Sequence, residues 1–349
     1  MKLTANMVTM MRIVLMPAPC LMLLYGDDFI QWLAVLAYTL LAMTDFIDGY
    51  MARRDGPTKI GGLIDPVADK IFIAALFFPL ASMGVAPAWF LMAIFMRELL
   101  VTGLRSSAAW RKASITTSRL AKMKTIIQLG GAVSIFLVLK LPEPFLINLA
   151  YLFAVVTLLG WMYMKFATKR TPFFWMLPTI PCYLLIAFSA MFFTKDTVIM
   201  IHLCVIAGLT WLSGLDYIIG AAGIFRTSRL SRYDFSRLAW SFSWPLLALP
   251  AVAWWPSTML PMLLAISCEL VLGGVDNVAV AEKDEPPDFY NFLITGVSAA
   301  IFGLGIWLDL WGDENVVAMW IPSLVLGLIS LVVMTISFKK HANLFAKAI

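Results

Sequence analysis

Charge is scarce in this 349-residue chain: Asp, Glu, Lys and Arg make up 13% of it, about half the share found in ordinary water-soluble domains. Histidine occurs twice and cysteine four times. His202 and His341 are too far apart for a histidine metal site; His202, inside an apolar run, is expected to be a hydrogen-bonded interior group. Cys20, Cys182, Cys204 and Cys268 stand singly in apolar runs, without the paired spacing of a disulfide framework or a zinc site. These scarcities exclude a soluble globular domain, a disulfide scaffold, and metal chemistry built on nitrogen or sulfur ligands.

What is present is apolar: 61% of the residues are hydrophobic and the mean hydropathy is +0.88. The chain reads as an integral membrane protein. Apolar stretches recur to its last residues, so no cleaved targeting segment is expected. A helix needs about 20 residues to cross a hydrocarbon core of about 30 Å. Runs of that size are expected at roughly 8–25, 29–47, 66–84, 86–107, 121–140, 145–164, 173–193, 197–219, 238–255, 257–275, 289–310 and 316–338. Barrel strands would be short alternating segments; these runs are continuous. The expected fold is therefore all-α, a polytopic bundle of about 12 spans.

Lysine and arginine mark the cytoplasmic side of membrane proteins. With the N-terminus inside, the cations at Arg53 to Lys59, Arg105 to Lys124, Lys165 to Arg170, Arg226 to Arg237 and Lys339 to Lys347 share one side. Only Lys140 and Lys195 fall opposite. Both termini are accordingly expected on the cytoplasmic side of the membrane. The formal charge of +5 is the ordinary result of such loops, and no nucleic-acid partner is expected.

Against this background, residues 44–70, TDFIDGYMARRDGPTKIGGLIDPVADK, hold five aspartates. Helix neighbours three and four apart share a face, so Asp45, Asp48 and Ala52 line the end of the second span, and Asp65 and Asp69 the start of the third. The segment from Arg54 to Ile64, with Gly56-Pro57 and Gly61-Gly62, reads as the returning loop. Four carboxylates brought together raise one another's pKa unless cations lie between them. All-oxygen ligands favour Mg²⁺ or Mn²⁺, and a pair of such ions suits a phosphoryl group held between attacking and leaving oxygens. Gly49 and Ala52 leave room for a diphosphate, and Arg53 offers a fork of donors to its oxygens. Asp55 lies off both faces and reads as solvated.

The pattern Asp45-x2-Asp48-Gly49-x2-Ala52-Arg53-x7-Gly61-x3-Asp65-x3-Asp69 resembles the CDP-alcohol phosphotransferase motif, whose arginine and second glycine are usually eight residues apart rather than seven. The resemblance implies that Asp45, Asp48, Asp65 and Asp69 bind two divalent cations and that Gly49, Ala52, Arg53 and Gly61 hold the CDP group. It also makes Asp69 the base that takes a proton from the acceptor alcohol. ANMVTMMRIVLMP at 5–17, with Asn6, Thr9 and Arg12, MRELLVTGLRS at 96–106 and LAKMKTIIQ at 120–128 resemble the phosphatidylglycerophosphate synthase branch of that family. For that branch the substrates are CDP-diacylglycerol and glycerol 3-phosphate, and a homodimer is expected. An acceptor that is itself a phosphate needs cations, and Arg97, Arg105, Lys122 and Lys124 are the candidates; an arginine as deep in its span as Arg97 marks a polar cavity or a buried ion pair. Glu98 points about 100° away from Arg97 around a helix.

The family core is expected within residues 1–225, with a helical pair inserted at roughly 141–195, because LTWLSGLDYIIGAAG at 209–223 resembles the family's last span. Residues 226–349 form an additional membrane region. There RTSRLSRYDFSR (226–237) reads as an inner loop, AEKDEPPDF (281–289) as a solvated connection, and Glu269 as solvated at the interface. Two other readings compete: a family member with another acceptor, a cardiolipin synthase or an inositol phosphate transferase, and a cation or solute transporter, whose ligands lie near the membrane midplane.

Overall fold

The computed structural model describes residues 4–346 except 57, 114, 116–118, 167–175, 228–229, 284–287 and 312–318. The side chains of Ala52, Arg53, Asp55 and Lys122 also lie outside the described residues. Every described element is helical.

The first compact unit comprises Met1–Thr117 and Gly214–Ile349. Its first part holds α1 (Ala5–Leu15), α2 (Pro17–Tyr25), α3 (Asp28–Asp55), α4 (Lys59–Ser82) and α5 (Ala88–Trp110). The second unit, Ser118–Ser213, holds α6 (Arg119–Lys140), α7 (Glu143–Phe166), α8 (Met176–Phe192) and α9 (Lys195–Leu212); α7 packs on α8, and α6 and α8 on α9. The chain returns to the first unit with α10 (Leu215–Thr227), α11 (Arg232–Ala248), α12 (Pro250–Trp254), α13 (Met259–Lys283), α14 (Phe289–Trp311), α15 (Trp320–Lys340) and α16 (Ala342–Ala346).

The expected apolar runs are helical over most of their described residues, with breaks such as Met16, Ser213 and Leu249. Seven of the described helices are long and apolar enough to cross a membrane. The four cysteines are free, and His202 Nδ1 lies 2.6 Å from the Val198 carbonyl of its own helix.

The return between the aspartate helices is shorter than expected. α3 continues to Asp55 and α4 begins at Lys59, so Gly61 and Gly62 lie in the first turn of α4 rather than in a loop. Gly56, with φ of 93°, supplies the left-handed residue that ends α3, a conformation glycine adopts without strain. Thr58 then caps α4, its side chain accepting from the Gly61 amide.

Within the first unit, α1 lies across α3 and α4, while α11 and α13 pack on α5 and α13 also packs on α4. The helices after residue 213 are thus packed directly against the aspartate-bearing half of the chain. The division into units follows packing, whereas the boundary expected at 225 followed family likeness, and the two do not coincide.

Candidate active site

Thr4 caps α1, which places Asn6, Thr9 and Arg12, three residues apart, along one face. Each meets the aspartate motif. Asn6 Nδ2 donates to Thr58 Oγ1 at 3.1 Å, the oxygen that accepts the Gly61 amide at 2.9 Å. A Cβ on Gly61 would lie 3.0 Å from both Asn6 Oδ1 and Thr58 Oγ1, so a larger residue there would have to displace the side chains that join α1 to α4.

The Thr9 hydroxyl is buried and sits 2.9 Å from Asp48 Oδ2 and 3.1 Å from Asp65 Oδ1. It has one proton to give, so the carboxylates of α3 and α4 share a single donor. Arg12 is 3% exposed. Its Nη1 lies 2.8 Å from Asp45 Oδ1, and its Nη2 lies 3.8 Å from Asp48 Oδ2 and 3.6 Å from Asp69 Oδ1. The four motif aspartates therefore converge, from two helices, on Thr9 and Arg12 of a third.

Four carboxylates gather around the single guanidinium of Arg12. Asp48 is buried, while the side chains of Asp45 and Asp69 are 52% and 42% exposed, so the outer two are open to a ligand. A set of all-oxygen donors fits divalent magnesium or manganese. Among the described residues no three of these groups are arranged to hold one ion in common; the Arg12 guanidinium occupies the position between them.

Gly49 lies in α3 beside Asp48 and is partly buried. Ala52 and Arg53 belong to the last turns of the same helix; what their side chains face falls outside the described residues, as does the side chain of Lys122. Lys124 is a partly buried residue of the second unit.

Arg97 and Arg105 come together around one ring. The Arg105 guanidinium stands 4.9 Å from the centre of the Tyr217 ring and donates to its hydroxyl at 2.5 Å. Arg97 stands 6.0 Å from that ring. It is also paired with its neighbour Glu98, Nη1 to Oε1 3.3 Å, both being buried. The divergence expected from helical geometry is overcome by bending of two long side chains. Tyr217 was not singled out in the sequence; its only signal is its place in the stretch resembling the family's last span.

The second half of the chain corrects two readings, those of residues 226–237 and of Glu269. Ser231 and Asp234 form a reciprocal capping box at the start of α11, and Arg111 binds both oxygens of Asp234, at 2.9 and 2.5 Å. Burial opposes the charge on Asp234, but the Arg111 donors and the Ser231 amide and hydroxyl hold its carboxyl well below the usual carboxylate range. Arg237, 1% exposed, pairs with Asp276, which also accepts from Ser106 at 3.0 Å and from the Asp288 amide at 2.9 Å. Ser231, Asp234 and Arg237 are thus members of a buried network rather than of a solvated loop, while Arg232 and Phe235 between them are exposed, and the Asp288 amide ties the end of the 281–289 connection to Asp276. Glu269 is fully buried instead of interfacial, accepting from Trp240 Nε1 at 2.8 Å and Ser330 Oγ at 2.6 Å.

An all-helical chain of membrane-crossing character with a four-aspartate site at the ends of two helices defines a narrow class of protein. The family described as CDP-alcohol phosphatidyltransferase matches residues 2–168. A Rickettsia felis protein named CDP-diacylglycerol--glycerol-3-phosphate 3-phosphatidyltransferase is 32% identical over 173 residues, covering 47% of this chain and 94% of the relative. A Bacillus subtilis protein of the same name is 33% identical over 150 residues, covering 39% of this chain and 77% of the relative. A Mycobacterium tuberculosis protein named probable phosphatidylglycerophosphate synthase is 36% identical over 159 residues, covering 44% and 75%. No solved structure matches. The chain belongs to the CDP-alcohol phosphatidyltransferase family.

Proposed function

We propose that this protein transfers the phosphatidyl group of CDP-diacylglycerol to glycerol 3-phosphate, forming phosphatidylglycerophosphate and releasing CMP. The observation that carries this reading is the convergence of Asp45, Asp48, Asp65 and Asp69 on Thr9 and Arg12, in a chain whose relatives bear the names given above.

Asp45, Asp48, Asp65 and Asp69 would hold two Mg²⁺ or Mn²⁺ ions, which supply charge neutralisation and polarisation of the phosphoryl oxygens when bound. Thr9 fixes Asp48 and Asp65 relative to each other. Arg12 fixes Asp45 and limits the mutual repulsion of the group. Asp69, partly exposed, takes the proton of the acceptor hydroxyl as that oxygen attacks the phosphorus next to the diacylglycerol. The new P–O bond forms as the bond to CMP breaks, so one proton passes to Asp69 and CMP leaves as an anion. Gly49, Ala52, Arg53 and Gly61 are assigned to the CDP group. Arg97 and Arg105 are assigned to the acceptor phosphate, with Lys122 and Lys124 assigned the same role from the sequence.

The wider organisation extends this reading: about twelve spans, both termini and the active site facing the cytoplasm, in the cytoplasmic membrane of a bacterium. Catalytic chemistry is placed in residues 1–225, including the pair at roughly 141–195, and residues 226–349 are an added membrane region. Cysteine labelling from either side of oriented vesicles tests the topology, and mass photometry in nanodiscs measures whether the chain forms the expected homodimer.

The deciding experiment gives purified full-length protein CDP-diacylglycerol with Mg²⁺ or Mn²⁺ and one acceptor at a time. CMP release with glycerol 3-phosphate is expected. Release only with phosphatidylglycerol or with inositol phosphate would reassign the acceptor, and metal-dependent flux in liposomes without CMP release would replace the enzyme by a transporter.

A further inference from the structure

The helix that carries Asp65 and Asp69 is held from both sides. Asp65 and Asp69 are four apart and face α1; Leu63 and Val67, each two residues from an aspartate, project from the opposite side of α4, about 200° around. That rear face meets α13. A Cβ on Gly274 would lie 2.6 Å from Leu63 Cδ1 and 3.1 Å from Val67 Cγ2, closer than side chains tolerate without displacement. Leu63 and Val275 form a buried cluster with Ile60, Val271, Val278 and Leu344. The preceding residue, Gly273, faces a different helix: its Cβ would lie 3.1 Å from Thr102 Cγ2 of α5 and 3.4 Å from the Trp240 ring. Thr102 in turn accepts from Lys70, the residue after Asp69, at 2.5 Å. Two residues beyond Gly274, Asp276 is fixed to α5 by Ser106 and to α11 by Arg237.

Adjacent glycines of one helix thus seat the aspartate helix and the arginine-bearing helix, and a polar anchor holds that helix in register. α13 lies outside residues 2–168, the segment that the family matches. We propose that the Gly273-Gly274 step of α13 is a positioning element for phosphatidyl transfer: it sets how closely α4 approaches α1 and α5, and so the separation of Asp65 and Asp69 from Arg12 on one side and from the acceptor arginines on the other. The inference rests on the function proposed above for those residues. A side chain at 274 must displace Leu63 and Val67 on the rear face of α4, the face opposite the aspartates, and misplacement of catalytic groups by about 1 Å can cost on the order of 10²-fold in rate.

The test uses full-length protein in nanodiscs and two readouts: Mn²⁺ affinity by electron paramagnetic resonance, which needs no turnover, and CMP release. Gly274→Val is expected to weaken Mn²⁺ binding and slow CMP release, each by about tenfold or more, with helical circular dichroism retained. Leu63→Ala, which vacates the space, is expected to restore both when combined with it. Gly305→Val, at an exposed glycine of α14 with nothing within 4 Å, is expected to change neither. Should Gly274→Val fail to fold, Gly274→Ala with and without Leu63→Ala carries the same comparison. Wild-type Mn²⁺ affinity in a folded variant at 274, or a loss that Leu63→Ala leaves uncorrected, overturns the proposal. If the pattern appears in Mn²⁺ binding while no acceptor releases CMP, the positioning role stands and the proposed function falls. Absence of Mn²⁺ binding in the wild type overturns both.

Discussion

The carboxylates of the two halves of this chain live under opposite electrostatic regimes. In the first half, Asp45, Asp48, Asp65 and Asp69 share one arginine and one threonine hydroxyl, and two of them are partly open. In the second half three buried carboxylates have partners of their own: Asp234 has Arg111 and Ser231, Asp276 has Arg237, Ser106 and the Asp288 amide, and Glu269 has Trp240 and Ser330. Balanced, buried groups hold helices together. A cluster of carboxylates at a partly open site is poised for a ligand of opposite sign. The contrast separates chemistry from architecture among residues of the same type.

The sharpest way to break the comparison is Asp69→Asn, which keeps size and removes the base. CMP release should fall by about 10²–10⁴-fold with melting temperature little changed; residual turnover near wild type would remove Asp69 from the mechanism. Asp276→Ala should do the reverse, leaving Arg237 buried without its carboxylate and costing about 3–5 kcal/mol of stability. The double change Arg237→Met with Asp276→Leu should recover most of that loss in thermal unfolding. A third outcome concerns Arg12→Met, which removes the guanidinium that Asp45, Asp48 and Asp69 share. CMP release should drop by about tenfold or more and recover in part as Mg²⁺ is raised, since a mobile cation replaces a fixed one; a loss indifferent to Mg²⁺ would show that Arg12 acts otherwise.

Smaller effects follow. Ser231→Ala removes a capping side chain, at a cost of about 1 kcal/mol. It should also flatten the acid limb of stability, for the following reason. Asp234 is held below its ordinary value in the folded state, so its contribution is fully present above the unfolded pKa of about 3.9 and is lost as pH falls below that toward the folded pKa. Melting temperature measured from pH 6 downward should decline less steeply in the variant. Smallest of all, Asp55→Asn, at a position that helical spacing leaves off both aspartate faces, should leave CMP release within about twofold of wild type; a large loss would place a fifth aspartate in the site.

Spacing made the aspartate faces legible, because helical period fixes which residues of one helix lie together. Length and hydropathy did the same for the helices as elements. What spacing cannot show is what faces them. Asn6, Thr9 and Arg12 stood out only as a family signature, although their three-residue interval already placed them on one face; that this face meets Asp45 to Asp69 is a matter of packing between segments 33 or more residues apart. The returning loop was read too long because Gly61-Gly62 counts as a breaker in sequence, while Thr58 and Asn6 supply the cap that lets α4 begin before it. Glu269 and Arg237 were misplaced for a related reason. A polar residue near the end of an apolar run reads as interfacial unless its partner is known, and the partners Ser330 and Asp276 are 61 and 39 positions away. Tyr217 carried no charge to draw notice at all.

The seat of Arg12 also bears on the order in which the chain can be made. A ribosome releases Arg12 well before Asp45, which follows 33 residues later, and before Asp69, a further 24 on. During that interval the first apolar segment, Ala5–Tyr25, enters the bilayer with a cation that only water and lipid headgroups can serve, an arrangement costing about 2.5–3.5 kcal/mol were the residue drawn to the centre. The carboxylates that seat Arg12 come only with α3 and α4, so α1 is made before the helices that complete its polar surroundings.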